Sequence, residues 1–290
     1  MRIWVILLSL LALTAQPAFA ANSQRLQPLE KELAWLISGK SANLGVAALD
    51  LSTGEVVSVN GHDAFPMAST VKVAVAANYL AQVEFGRRSL DDRIAGKTAA
   101  SLLNAMITRS DNNATDLLIG NLGGPGKIQS WLTQQGVEGI RFDRSIARLL
   151  SDRRDLYDIR DSSTPIAMVQ LLQKLDSGKM LRPQSRSYLL DLMGRCITGK
   201  NRMRALLPYG TKVEHKTGTL NNYTSDVGFI TLPDGRRLAV AFFARGGGDR
   251  PSAIAQVARK VYDGFMAVPR SLYSSLTAPA SASAPTFQPN

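Results

Sequence analysis

The 290-residue sequence contains one cysteine, Cys196, and two histidines, His62 and His215. A single thiol excludes an intrachain disulfide and a cysteine-based zinc site. So few histidines argue against a metal-dependent hydrolase and against a Ser-His-Asp triad alike, so hydrolytic chemistry here needs another proton carrier. Neither a metal nor a cofactor is implied. Long apolar runs are scarce as well. The run over residues 3–13 is shorter than the ~20 residues that span a bilayer. It follows Met1-Arg2 and precedes Ala18-Phe19-Ala20, the pattern of a secretory leader over residues 1–20. The sequence therefore predicts export, to a bacterial periplasm, with no membrane span left after cleavage.

Acidic residues are the minority charge, 23 against 34 basic, which leaves a net charge of +11. The basic residues are scattered and no nucleic-acid-binding motif accompanies them, so no nucleic-acid partner is expected. Attraction to anionic envelope material and plain solubility both remain open. The roughly 270 residues after the leader fit one large domain or two closely packed ones, and the expected state is a monomer.

Leu26, Leu29, Leu33, Leu36 and Ile37 recur at helical spacing, which predicts an amphipathic helix over residues 25–38. Residues 44–49 and 56–59 read as strands about a turn. An alanine-rich helix is predicted over 70–85, and further helices over 101–109, 126–135, 165–175 and 184–193. Strands follow at 225–232 and 237–244, then a helix over about 252–266. The stretch 269–290 is rich in Ser, Ala and Pro and reads as a disordered tail. If early and late strands pair, the fold is α+β: an antiparallel sheet flanked by helices, with an inserted all-helical part. The sheet part then covers about 21–68 and 211–268 and the helical part about 69–210, within a catalytic domain spanning 21–268.

Three short motifs carry chemistry. Ser69-Thr70-Val71-Lys72 places a hydroxyl at the mouth of the apolar helix and returns a lysine to the same face one turn later. A lysine held in a partly dry pocket loses preference for its proton and can act as a base; for Ser69 alone, a helix N-cap is the alternative. Ser110-Asp111-Asn112 offers a hydroxyl that can pass a proton to a departing nitrogen, an amide that can grip a carbonyl, and an aspartate turned away to hold the loop. Lys216-Thr217-Gly218-Thr219 falls in residues 213–220, an expected edge strand. There Gly218 permits close backbone approach, and the Thr219 N–H can join that of Ser69 as an oxyanion donor. Strand alternation sends His215 to the opposite face, and Cys196 is most simply a packed thiol.

In this order, S-x-x-K, S-D-N and K-T-G resemble the hallmarks of the class A β-lactamases and their penicillin-binding relatives. The likeness extends over roughly residues 25–265, through Phe65-Pro66-Met67-Ala68, Thr198-Gly199-Lys200-Asn201-Arg202 and Asp226-Val227-Gly228. It implies Ser69 as nucleophile, Lys72 and Ser110 as proton carriers, and Asn112, Lys216, Thr217, Gly218 and Thr219 as substrate-binding residues. Where many class A enzymes carry an arginine on the following strand this chain has Ser225, and Arg202 is the proposed replacement, since a guanidinium suits a carboxylate. The implied partner is a small β-lactam or a D-Ala-D-Ala-like group, with peptidoglycan as a further possibility.

Two departures qualify the resemblance. Ser110 follows Ser69 by only 41 positions, shorter than in the family, which predicts a more open cleft. The family's Ω loop carries a glutamate and an asparagine that activate the deacylating water. Anchored on Arg144, which should pair with Asp161, those positions become Ile146 and Leu150. Deacylation should be slow unless Asp152, Asp155 or Asp158 substitutes, against the alternative that these acids pair with Arg153, Arg154 and Arg160. Three outcomes stay open: a β-lactamase with slow deacylation, a D,D-peptidase acting on peptidoglycan stem peptides, or a covalent β-lactam-binding or sensing module.

Overall fold

The computed structural model describes residues 24–268. The leader expected at 1–20 and the tail expected at 269–290 lie outside the described residues. A 3-10 turn at Gln24–Leu26 opens into α1 (Gln27–Ser38), followed by β1 (Asn43–Asp50), β2 (Val56–Val59) and the short β3 (Phe65–Pro66). A second 3-10 turn, Ala68–Val71, leads into α2 (Lys72–Glu84), the small pair β4 (Arg93–Ile94) and β5 (Lys97–Thr98), α3 (Ala99–Thr108) and α4 (Asn112–Asn121). Next come α5 (Pro125–Gln134), α6 (Ile146–Ser151), β6 (Ser162–Ser163), α7 (Pro165–Asp176) and α8 (Pro183–Gly194). The chain closes with β7 (Val213–Leu220), β8 (Tyr223–Thr231), β9 (Arg237–Arg245) and α9 (Arg250–Ala267).

Early and late strands do pair. The five-stranded sheet runs β2-β1-β9-β8-β7, antiparallel throughout, and β1 meets β9 from Asn43↔Arg245 to Asp50↔Leu238. Strand alternation distributes β9 between two cores. Leu238, Val240, Phe242 and Ala244 face α1 and α9, whereas Ala239, Ala241 and Phe243 join the helical core on the other side. Both faces are covered, which is why β9 is apolar almost throughout. Leu29, Leu33 and Ile37 of α1 recur at every fourth residue and pack in the same core as Ile254, Val257, Val261 and Phe265 of α9.

The helices α2 to α8 form the inserted part. α2 is buried from Lys72 through Ala81, and a helix apolar on all sides belongs at a domain centre. Its first residue is therefore desolvated by position. Two helices were not legible in the sequence. Asp111 caps α4 by accepting from Ala114 N at 2.7 Å, and Ser145 caps α6; both are short and lie where the motif and the loop drew the reading away from periodicity.

Candidate active site

Ser69 is held by constraints from three directions. It lies within the 3-10 turn that precedes α2, after Ala68 at φ +49°. It does not cap the helix, because neither cap position there uses a serine hydroxyl. A left-handed conformation at a non-glycine residue is a strained one that surrounding structure must maintain. Met67, just before, donates its N–H to Asp161 O at 2.9 Å, while its carbonyl accepts from Thr70 Oγ1 at 2.7 Å and Ser225 Oγ at 3.3 Å. The β3–β6 pairing, Phe65↔Ser163 and Pro66↔Ser162, ties this approach to the far end of the Ω loop.

β7 is the outermost strand and lies against the turn. A Cβ at Gly218 would stand 2.6 Å from Met67 O and 3.0 Å from the Ala68 Cβ. Only glycine lets the K-T-G strand come this close to the nucleophile.

Lys72 and Lys216 are both fully buried and converge on one hydroxyl. Lys72 Nζ donates to Ser110 O at 2.7 Å, Ser110 Oγ at 3.2 Å and Asn112 Oδ1 at 2.7 Å. Lys216 Nζ donates to Ser110 Oγ at 2.9 Å and Thr217 O at 2.8 Å. Burial, and then the charge of Lys216, lowers the Lys72 amine to about 7. Burial likewise lowers Lys216, to about 8, against the opposing pull of Cys196 and Asp226. Ser110, itself at φ +61°, accepts from both ammonium groups and keeps its own proton to donate. Asn112 accepts at Oδ1, so its amide NH₂ is left to donate into the cleft. The Lys72 hydrogen bonds go to Ser110 and Asn112, with Ser69 one helical turn before it.

Arg202 lies beside the strand, where the sequence placed a carboxylate ligand. Its Nη1 donates to Gly218 O and Ser225 O, each at 2.9 Å, and its Nη2 to Thr219 Oγ1 at 2.6 Å. Thr217 Oγ1 stands 2.6 Å from Thr198 Oγ1. All nine residues singled out from the sequence thus belong to the 3-10 turn before α2, α2 itself, the Ser110 loop and the start of α4, β7, and the segment beside β7.

The Ω loop has the expected neck and lacks the expected acid. Arg144 Nε pairs with Asp161 Oδ2 at 2.6 Å, both groups buried. Ile146 is 3% exposed and packs in the helical core, whereas Leu150 is 56% exposed. The three loop aspartates are all engaged. Asp152 pairs with Arg144 and Arg148, and Asp158 with Arg144, Arg154 and Arg160. Hydrogen bonding to Arg160 holds the Asp158 carboxyl down at about 2. Asp155 accepts from Tyr157 N at 2.7 Å. The ion-pair reading of Asp152 and Asp158 therefore prevails, with Arg154 and Arg160 as expected and with Arg144 and Arg148 in place of the expected Arg153.

One positioning residue escaped the sequence. Asp116 on α4 accepts from Ile146 N at 2.6 Å and Ala147 N at 2.8 Å, capping α6 from across the cleft wall. It lies one helical turn after Asn112, a signal available once α4 is recognised.

The family model described as "Beta-lactamase enzyme family" matches residues 28–265. The chain is 30% identical to the extended-spectrum β-lactamase PER-1 of Pseudomonas aeruginosa, over 89% of this chain and 94% of that one. It is 32% identical to the β-lactamase OXY-2 of Klebsiella oxytoca, over 84% and 90%. Among solved structures, an ancestral class A β-lactamase superposes with a TM-score of 0.78 at 36% identity, over 82% of this chain and 100% of the other. A β-lactamase from Chitinophaga pinensis gives 0.77 at 28%, over 82% and 99%. With the lysines, the serine loop and the K-T-G strand gathered about Ser69, and the likeness running through both sheet and helical part, the chain belongs to the class A β-lactamase family of serine hydrolases, which act through an acyl-enzyme.

Proposed function

We propose that this protein acylates Ser69 with β-lactams and releases the product slowly. The observation that carries this reading is the convergence of Lys72 and Lys216 on Ser110 beside the Ser69 turn. Neutral Lys72 takes the Ser69 proton as Oγ attacks the lactam carbonyl. The developing oxyanion is met by the N–H groups of Ser69 and Thr219. As the C–N bond breaks, Ser110 delivers a proton to the departing nitrogen and is resupplied through Lys72. Asn112 holds a substrate carbonyl, while Lys216, Thr217, Thr219 and Arg202 receive the carboxylate.

Hydrolysis of the ester then needs an activated water. Ile146 supplies no carboxylate, and the aspartates of the loop are committed to arginines and backbone, so the acyl-enzyme persists. The same absence favours a second reading, a D,D-peptidase acting on peptidoglycan stem peptides, in which the peptide is the substrate and a β-lactam the inhibitor. Either activity fits an exported periplasmic protein. No helix among the described residues is long and apolar enough to cross a membrane.

Intact-mass spectrometry of the mature protein with benzylpenicillin, sampled over time beside Ser69→Ala, tests the proposal. The expected result is a Ser69-dependent adduct that forms readily and decays slowly while drug is consumed. A permanent adduct together with D-alanine release from a D-Ala-D-Ala peptide moves the peptidase reading ahead. The absence of any adduct overturns both.

A further inference from the structure

Behind the K-T-G strand lies a buried group of titratable side chains that the acylation scheme leaves unused. His215 points away from the cleft and is fully buried, its Nδ1 2.7 Å from Asp226 Oδ1 on β8. Its Nε2 has no hydrogen-bond partner, sulfur included, among the described residues, and the Cys196 thiol is near enough for the two groups to shift each other's protonation. Cys196 follows α8 and is 2% exposed. Its Sγ lies 3.2 Å from Thr198 Oγ1, which in turn lies 2.6 Å from Thr217 Oγ1. Cys196, Thr198 and Thr217 thus form one chain of hydrogen-bond contacts, with the buried His215–Asp226 pair beside its thiol end.

Burial opposes charge at both central groups, and partners outweigh it. The Asp226 carboxylate, with the Cys196 sulfur beyond, raises the imidazole to about 9. The charges of His215 and Lys216, together with the contact to Thr198, bring the thiol down to about 7. The charged neighbours are His215 and Lys216 on β7, Asp226 on β8, and Arg202 and Arg204 on the segment before β7. Asp191 and Arg195 at the end of α8 pair with each other on the surface.

A hydroxyl carries one proton, and the 2.6 Å contact between the two threonines needs one proton between the oxygens. A thiolate can only accept, so it draws the Thr198 proton. Thr217 must then donate to Thr198 and turns its lone pairs toward the cleft. A neutral thiol can donate to Thr198, which donates to Thr217 and frees the Thr217 proton for an acceptor in the cleft. The extra negative charge of the thiolate, close to Lys216, acts in the same direction.

We propose that Cys196 and Thr198 are positioning residues for substrate recognition. The charge state of the Cys196 sulfur sets the direction of the Thr198–Thr217 pair, and so decides whether Thr217 offers a proton to a substrate carboxylate. The proposal rests on the reading of Thr217 as a carboxylate ligand. By linkage, a bound carboxylate favours the thiol, and thiolate formation weakens its binding.

The test compares KM and kcat against pH for benzylpenicillin and its methyl ester, beside the ultraviolet thiolate titration of the free enzyme, in which Cys196 is the one cysteine. The expected result is a rise in KM for the acid of about tenfold, the value of one hydrogen bond to a charged group. That rise should coincide with thiolate formation and be absent for the ester. In Cys196→Ala the rise should follow only the loss of the Lys216 proton, which no longer has the upward pull of the thiolate. Thr198→Val should keep the thiolate titration but lose most of the coincident rise in KM. A thiolate titration that does not appear, or a KM profile identical in wild type and both variants, overturns the proposal. Failure of the site reading shows differently, as the absence of a Ser69-dependent adduct at any pH.

Discussion

Lys72 and Lys216 show how burial converts two ordinary surface cations into working groups. Neither lysine reaches water, and the charge of Lys216 further lowers the affinity of Lys72 for its proton. The proposed acylation needs them in opposite states: Lys72 neutral to accept the Ser69 proton, Lys216 charged to hold a carboxylate. Acylation should therefore rise with pH through about 7, as Lys72 becomes neutral, and fall past about 8, as Lys216 loses its charge. The rate of adduct formation with benzylpenicillin across pH checks this. A profile flat from mildly acidic to mildly alkaline pH would exclude Lys72 as the base. Gly218 belongs to the same scale, since its missing side chain sets the distance between strand and nucleophile.

Among the elements, the Ω loop combines a family frame with different contents. The Arg144–Asp161 neck is intact, and the loop is held to the sheet by aromatic contacts. The Arg245 guanidinium lies between the rings of Phe65 and Tyr157, at 4.5 and 4.4 Å, and Tyr223 donates to Asp155 O at 2.7 Å. Inside that frame α6 begins with two N–H groups on Asp116. Asp116→Ala leaves both donors without their acceptor and should cost about 1–2 kcal/mol, the range of a lost helix cap. Urea unfolding measures the loss; an unchanged midpoint would mean that water replaces the carboxylate. Two of the three candidate bases, Asp152 and Asp158, instead neutralise Arg144, Arg148, Arg154 and Arg160. A carboxylate already paired with arginine is a weak base, which supports the proposal of slow deacylation.

At the scale of the whole molecule, one sheet separates two cores. The helical core carries the nucleophile, and the smaller core docks α1 and α9 against the opposite face. Chemistry and anchoring are therefore separable. Leu33→Ala, at a fully buried position of α1, should destabilise the fold by about 2–5 kcal/mol and leave the rate of Ser69 acylation by the folded protein within a factor of about two. Thermal unfolding and adduct kinetics on the same sample check both halves. A large loss of acylation rate with the fold intact would show that the two faces are coupled.

Much of this organisation was legible before any coordinate. The short apolar runs of β1 and β9, the four-residue spacing of Leu29, Leu33 and Ile37, and the three motifs at their spacings all express local rules that act within one element. The missing Ω-loop glutamate was legible for the same reason, since Ile146 follows Arg144 by a fixed count. The tertiary structure decided what depends on distant segments meeting. It turned the Lys72 amine to Ser110 and Asn112, about 40 positions away, and brought Lys216 to the same hydroxyl from 106 positions. It also placed Asp116 under α6 and stacked Cys196, His215 and Asp226 into a buried row. Periodicity tells which face of an element is apolar. Which polar groups end up sharing a desolvated space is set by the closure of the chain, because an unpaired buried donor or charge is too costly to leave in place.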